Sequence, residues 1–194
     1  MKLVFLSLGN GSIIAIVVVA LILIIVFWYI GVMNRLRQLE VKVEEAESGI
    51  DVALTKRFDA LTKMLETTKG YAKHESETLE KVIKWRNGIP SDASLQDKQE
   101  FANSLAKVAN GINVVVEQYP DLKANTMFNN LQNSIMDTEE HLQAARRLFN
   151  SNVRAINQII VTFPQSIVAN AIHMQKKNFF EAEEAKRQDV KMNF

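Results

Sequence analysis

Residues 13–33, IIAIVVVALILIIVFWYIGVM, hold 21 positions without a single charge. As an α-helix this run is about 30 Å long, the thickness of a bilayer's hydrocarbon core. A helix buried in a soluble core seldom stays uncharged for so long. The run also exceeds the apolar region of a cleaved signal peptide, and no A-x-A-like site with a polar start follows it. The segment is therefore expected to be a permanent transmembrane helix in contact with membrane lipid, preceded by a short segment, residues 1–12. Trp28 and Tyr29 fall near its C-terminal end, where amphipathic aromatics favour the membrane–water interface. Only Lys2 and the amino terminus precede the span, whereas Arg35, Arg37 and Lys42 follow it. That bias predicts a single pass with the C-terminal domain in the cytoplasm.

Charge excludes some roles for the remainder. Asn34 to Phe194 contains 22 of the 23 basic residues and all 22 acidic ones, so its net charge is zero. A polyanion-binding surface needs an excess of clustered Lys and Arg, so no nucleic-acid partner is expected. The chain has no cysteine, which removes disulfides, thiolate catalysis and Cys-based metal sites.

Periodicity supplies the architecture. Leu36, Leu39, Val43, Ala46 and Ile50 alternate spacings of three and four; the pattern steps by four to Leu54 and Phe58, then resumes at Leu61, Leu65, Thr68 and Ala72. This is a heptad pattern with a stutter, as in a long helix with a coiled-coil-like seam. No proline separates it from the span, so one continuous helix is expected, extending towards Asn87. The three prolines, Pro90, Pro120 and Pro164, divide the rest. A second helix is expected from Ser94 to Gln118, with Phe101, Leu105, Val108, Ile112 and Val115 on its stripe. A third follows Pro120, with Asn125 as N-cap and a stripe running from Phe128 through Leu131, Ile135, Leu142, Phe149, Val153 and Ile156 to Phe163. The fold class is all-α: an N-terminal transmembrane helix continuing into an elongated antiparallel helical bundle with coiled-coil-like packing, residues 34–180. A charged C-terminal tail, residues 181–194, closes the chain.

Several stretches together resemble the LemA family of bacterial membrane-anchored helical proteins. The first block runs from Asn34-x-Leu36-x-x-Leu39 through Ile50-Asp51, Leu54, Arg57, Asp59 and Leu65 to Lys69-Gly70-Tyr71-Ala72 and His74-Glu75. The second is more specific: Glu117, Tyr119-Pro120-Asp121-Leu122-Lys123-Ala124, Phe128, Leu131-Gln132 and Thr138-Glu139. It continues with Ala145-Arg146, Asn150, Val153, Asn157, Phe163-Pro164 and Ala169. Phe180-Glu181-Ala182 resembles the family's closing motif. Three positions depart from it: Thr62 stands for a helix-bending proline, Glu47 for a common tryptophan, and His173-Met174 for Gly-Phe. The resemblance implies a single-pass protein of the bacterial inner (plasma) membrane with a long helical domain. It implies no reaction.

The residues themselves offer no catalytic constellation. His74-Glu75-Ser76-Glu77-Thr78 begins like a zincin helix but lacks the second histidine. None of the three histidines has a glutamate three residues before it, so the di-iron pattern of helical bundles is absent. There is no phosphate-binding glycine loop and no nucleophile elbow. No enzyme activity, cofactor or metal is expected. Polar residues on the seams are more informative. Asn150 and Asn157 lie one heptad apart beside the third stripe, either buried to fix register or turned to the bundle edge. Arg146 and Arg147 are candidates to pair with acidic residues of the first helix, and Phe128, Phe149 and Phe163 are expected in the core. The leading functional expectation is a non-enzymatic scaffold or interaction module of the bacterial envelope, self-associating as a homo-oligomer or binding other envelope proteins. The alternatives are a signal-transmitting membrane rod and a membrane-shaping protein.

Overall fold

A computed structural model describes residues 10–68, 90, 93–120 and 125–180, and among these residues there is no strand. Four helices are described: α1, Asn10–Thr68; α2, Leu95–Gln118; α3, Thr126–Val161; and α4, Gln165–Ala171. The expected continuity of span and seam is observed, since α1 passes through Met33 to Thr68 without a break. The stretches expected at 69–87 and 181–194 lie outside the described residues.

Each helix start has a local cause. At α2 the Ser94 hydroxyl accepts from the Asp97 backbone N–H at 3.2 Å, and the Ser94 N–H donates to the Asp97 carboxylate at 3.1 Å. This reciprocal capping box satisfies two backbone donors that the helix leaves unpaired. At α3 the Asn125 side-chain oxygen accepts from the N–H groups of Met127 and Phe128, at 2.9 and 3.3 Å. Asn125 is thus the N-cap that its position before the apolar stripe predicts.

The described residues divide between two compact units, one within 1–41 and 155–177, the other within 42–154 and 178–194. In the first, Val32 and Leu36 of α1 are buried, as are Ile156, Ile159 and Ile160 of α3 and Val168 and Ala169 of α4. In contrast, every residue from Gly11 to Trp28 is exposed and Tyr29 is half-buried. The most apolar stretch of α1 has a mean hydropathy of 3.3, with none of it buried in the protein. Among the described residues α1 is the one helix long and apolar enough to cross a membrane.

The second unit has a conventional core. Val43, Ala46, Ile50, Leu54, Leu61 and Met64 line α1, opposite Phe101, Leu105, Val108 and Ile112 of α2 and Phe128, Leu142, Phe149 and Val153 of α3. The last buried valine of α2 is Val116; the side chain of Val115 lies outside those described. Directions follow from contacts. Asn152 donates to the Lys42 carbonyl while Glu139 pairs with Arg57, so α3 runs antiparallel to α1. Lys98 reaches Glu47 and Asp51 whereas Phe101 meets Phe58, with ring centroids 6.0 Å apart. Residue numbers rise together along both helices, so α2 lies parallel to α1, and α3, which follows it in the chain, runs antiparallel to both.

One core expectation fails. Phe163 is 77% exposed. Its i+3 spacing from Ile160 is meaningful only within a continuous helix, and α3 ends at Val161. The bend at Thr162 and the turn at Phe163–Pro164 point the ring outwards.

Candidate functional site

The polar residues near the seams converge on one structural task. In the second unit Asn150 grips the backbone of Phe180 twice: its amide donates to the Phe180 carbonyl at 2.9 Å, and its oxygen accepts the Phe180 N–H at 2.8 Å. In the first unit Asn157 does the same to Lys177, with both bonds at 2.8 Å. An asparagine amide presents a donor and an acceptor side by side, as a strand neighbour does. Each side chain therefore holds the backbone of the returning segment without needing a sheet. Both asparagines are half-buried. The choice between register-fixing burial and a wet edge is resolved as a third arrangement, a side-chain clasp on the returning chain.

Further contacts secure the segment in the second unit. Gln99 of α2 donates to the Phe179 carbonyl at 3.3 Å, and the Phe180 ring is buried. The Arg146 guanidinium lies over that ring, 4.9 Å from its centre, within the range of a cation–π attraction. Beside it is a cleft of about 330 Å³ bordered by Arg146, Arg147 and Arg154 together with Asn150 and Phe180. Arg147 and Arg154 are exposed. The cleft adjoins the clasp and is lined by positive charge without acidic residues.

Two buried cations link helices of the second unit. The Lys98 ammonium, on a residue only 4% exposed, meets Glu47 at 2.8 Å and Asp51 at 2.9 Å. Burial alone would lower its pKa. The hydrogen bonds and charges of Glu47 and Asp51 outweigh that and hold it above the ordinary lysine value. Arg57, also buried, pairs with Glu139 at 2.6 Å, and Gln143 donates to the other oxygen of Glu139 at 2.8 Å. This pair is an ionic link between α1 and α3, with the arginine on α1. In the first unit Glu40 receives Arg37 at 3.0 Å and Lys177 at 3.3 Å. Partial burial opposes ionisation there, yet the two cations keep the Glu40 carboxyl below its usual pKa.

These residues join helices to one another and to the C-terminal segment. Among the described residues no group of three His, Asp or Glu side chains gathers as metal ligands would. The remaining motif positions are structural or peripheral. Phe128 is fully buried; Tyr119 closes α2, its N–H bonding the Val116 carbonyl, and is exposed, as is Pro120. Asp121, Leu122 and Lys123 lie outside the described residues. Pro164 precedes α4, and Trp28 and Tyr29 lie on α1 at the end of its fully exposed stretch.

The family model that matches this chain is that of the LemA family, over residues 46–194. The chain belongs to the LemA family. A relative, Protein LemA of Metamycoplasma hominis, is 30% identical over 165 residues, covering 84% of this chain and 75% of that protein.

The departures from the LemA pattern acquire physical meaning here. Glu47, in place of tryptophan, is one of the two carboxylates on Lys98. Thr62, in place of proline, donates its hydroxyl to the Phe58 carbonyl at 2.9 Å, and α1 continues through it. His173, in place of glycine, has φ 54°, the left-handed conformation that glycine adopts without steric cost. There Met174 N–H bonds the Ala169 carbonyl and His173 N–H that of Asn170, both at 3.0 Å. This is a Schellman ending for α4, with histidine at the position that most often takes glycine. The C-terminal return thus keeps its turn without the glycine.

Sequence reasoning missed Lys98, Gln99 and Asn152. Lys98 sits three residues before Phe101 on the α2 stripe, and an apolar-period reading passes over a lysine at a core position. The other two act through backbone carbonyls, which leave no mark in sequence.

Proposed function

We propose that this LemA-family chain is a non-catalytic, single-pass protein of the bacterial inner membrane. Its helical domain, on the cytoplasmic side, assembles with further copies of itself or with other envelope proteins. The observation that carries this reading is the contrast along α1. Its first part is apolar on all sides and wholly exposed, as a lipid-facing helix must be, while its later part buries only one stripe. Basic Arg35, Arg37 and Lys42 immediately after the span support the cytoplasmic side. Anchoring confines every copy to one surface and raises the effective concentration of its helical faces. Leu131 and Ile135 on the α3 stripe are only half-buried within one chain, leaving apolar area that a second copy can cover.

The test is native mass spectrometry of the full-length protein from lipid nanodiscs, with crosslinking in membranes. Higher-order species with crosslinks near Leu131 and Ile135 are expected. A strictly monomeric protein that captures no partner overturns the reading. The unbroken course of α1 from span to domain also suits a signal-transmitting rod. Insertion of a flexible glycine linker after Arg35 would then abolish the response, while leaving assembly intact.

A further inference from the structure

The corner between α3 and α4 is unusually apolar for an exposed turn. Val161 and Ile167 are more than half exposed and Phe163 is the most exposed large apolar side chain described. Its place within the first unit explains why. Asn157 holds the backbone of Lys177, whose ammonium meets Glu40, next to the last α1 residue of that unit, Val41. The rest of α3 and α4 in this unit must therefore pack along earlier residues of α1. Val161, the last residue of α3, is four residues beyond Asn157, about 6 Å along the helix, which brings it level with Leu36 to within about one turn. Phe163 follows in the turn beyond it, and Leu36 stands three residues after the uncharged run that ends at Met33.

Charge in the same unit is one-sided. Residues 141–180 contain no Asp or Glu, and Glu40 is the unit's only acidic residue, already engaged by Arg37 and Lys177. Arg35 and Lys176 are exposed. The domain's net neutrality conceals this, because the acidic residues belong almost entirely to the second unit.

We propose that the Phe163–Pro164 corner is a second membrane contact: Val161, Phe163 and Ile167 dip into the headgroup–acyl boundary of an anionic bilayer beside the emerging span. Exposed apolar side chains in a unit whose cations outnumber its single carboxylate match that boundary, where the ring and aliphatic groups enter the acyl edge and Lys and Arg remain among anionic headgroups. The bilayer is favoured over a protein partner because the corner lies level with the end of the span, and the bilayer is the surface always present there. The inference rests on the reading that residues 13–33 cross the membrane.

The chain has no native cysteine, so single spin labels can be placed directly in the full-length protein. Four variants are compared in vesicles of phosphatidylglycerol and phosphatidylcholine: Val19→Cys in the span, Phe163→Cys and Ile167→Cys at the corner, and Lys107→Cys on the exposed face of α2. Collisions with oxygen, which partitions into lipid, and with a water-soluble nickel chelate report depth. At Phe163 and Ile167 a gain in oxygen collisions and a loss of nickel collisions relative to Lys107 are expected, at a shallower depth than Val19. Water-like values at the corner with a lipid-buried Val19 overturn the corner contact while leaving the anchor standing. Water-like values at Val19 as well overturn both. Shielding from both reagents with spin–spin broadening between copies would identify a second chain as the occupant, and also overturns the proposal.

Discussion

Two lengths of α1 share one backbone and opposite surroundings. Between Gly11 and Trp28 no side chain is buried, although nearly all are apolar. Between Leu36 and Met64 the apolar residues return every three or four positions, and most of them are buried. A helix apolar on every side can be satisfied only by a solvent as apolar as itself. A helix with one apolar stripe needs only partner helices. The exposed and the buried apolar surfaces are therefore not more and less hydrophobic versions of one design. The first leaves its apolar side chains uncovered by the protein, and the second buries its stripe within it.

The most severe way to break that contrast is to place charge in the first length. Val19→Arg with Ile22→Arg should cost about 5–7 kcal/mol of insertion, at about 2.5–3.5 kcal/mol for each charge near the bilayer centre. The protein should shift from the carbonate-resistant membrane pellet to the supernatant, with the helicity of the second unit retained. Truncating the buried stripe should do the reverse. Leu54→Ala is expected to lower domain stability by about 2–5 kcal/mol in thermal unfolding followed by circular dichroism, with membrane attachment unchanged.

Charges inside the second length sharpen the comparison. Lys98→Met removes the buried cation but leaves Glu47 and Asp51, each about one-third exposed, able to rehydrate. The loss should be about 2 kcal/mol, below that of breaking a fully buried pair. Because the folded pKa of Lys98 is raised, its contribution is complete below the ordinary lysine pKa and disappears as pH rises through the folded value. The wild-type protein should thus lose more stability on strong alkalinisation than Lys98→Met. Glu40 has the opposite sign. Its folded pKa is depressed, so its smaller contribution is present above the ordinary carboxylate value and is lost as pH falls through the folded one. Glu40→Gln should flatten the acid limb of the unfolding profile.

The clasps act more locally. Asn150→Ala should cost about 1–3 kcal/mol by leaving the Phe180 N–H and carbonyl without their partner. Amide exchange should accelerate at Phe180, with little change at Lys177. Asn157→Ala should give the mirror result, a faster Lys177 and an unchanged Phe180.

Much of this architecture is legible in the chain. A helix long and apolar enough to cross a membrane, the uninterrupted course of α1, the starts of α2 at Ser94 and α3 at Asn125, and the LemA family all follow from local patterns. So does most of the core. Phe163 was not legible, because its spacing belongs to the α3 stripe and only the helix end at Val161 removes it from that face. The role of Asn150 and Asn157 was half legible. Their heptad spacing marked them, but their targets are backbone atoms of residues 20 to 30 positions away.

By itself, then, the sequence determined everything that depends on neighbours along the helix. Uncharged length, three–four periodicity, caps and breaks are local, and the physics that reads them has a range of one or two turns. The tertiary structure decided what depends on distant partners: the parallel course of α2, the pairing of Lys98 and Arg57, and the two asparagine clasps. It also decided that Val161, Phe163 and Ile167 stand exposed at a turn, because α3 ends at Val161.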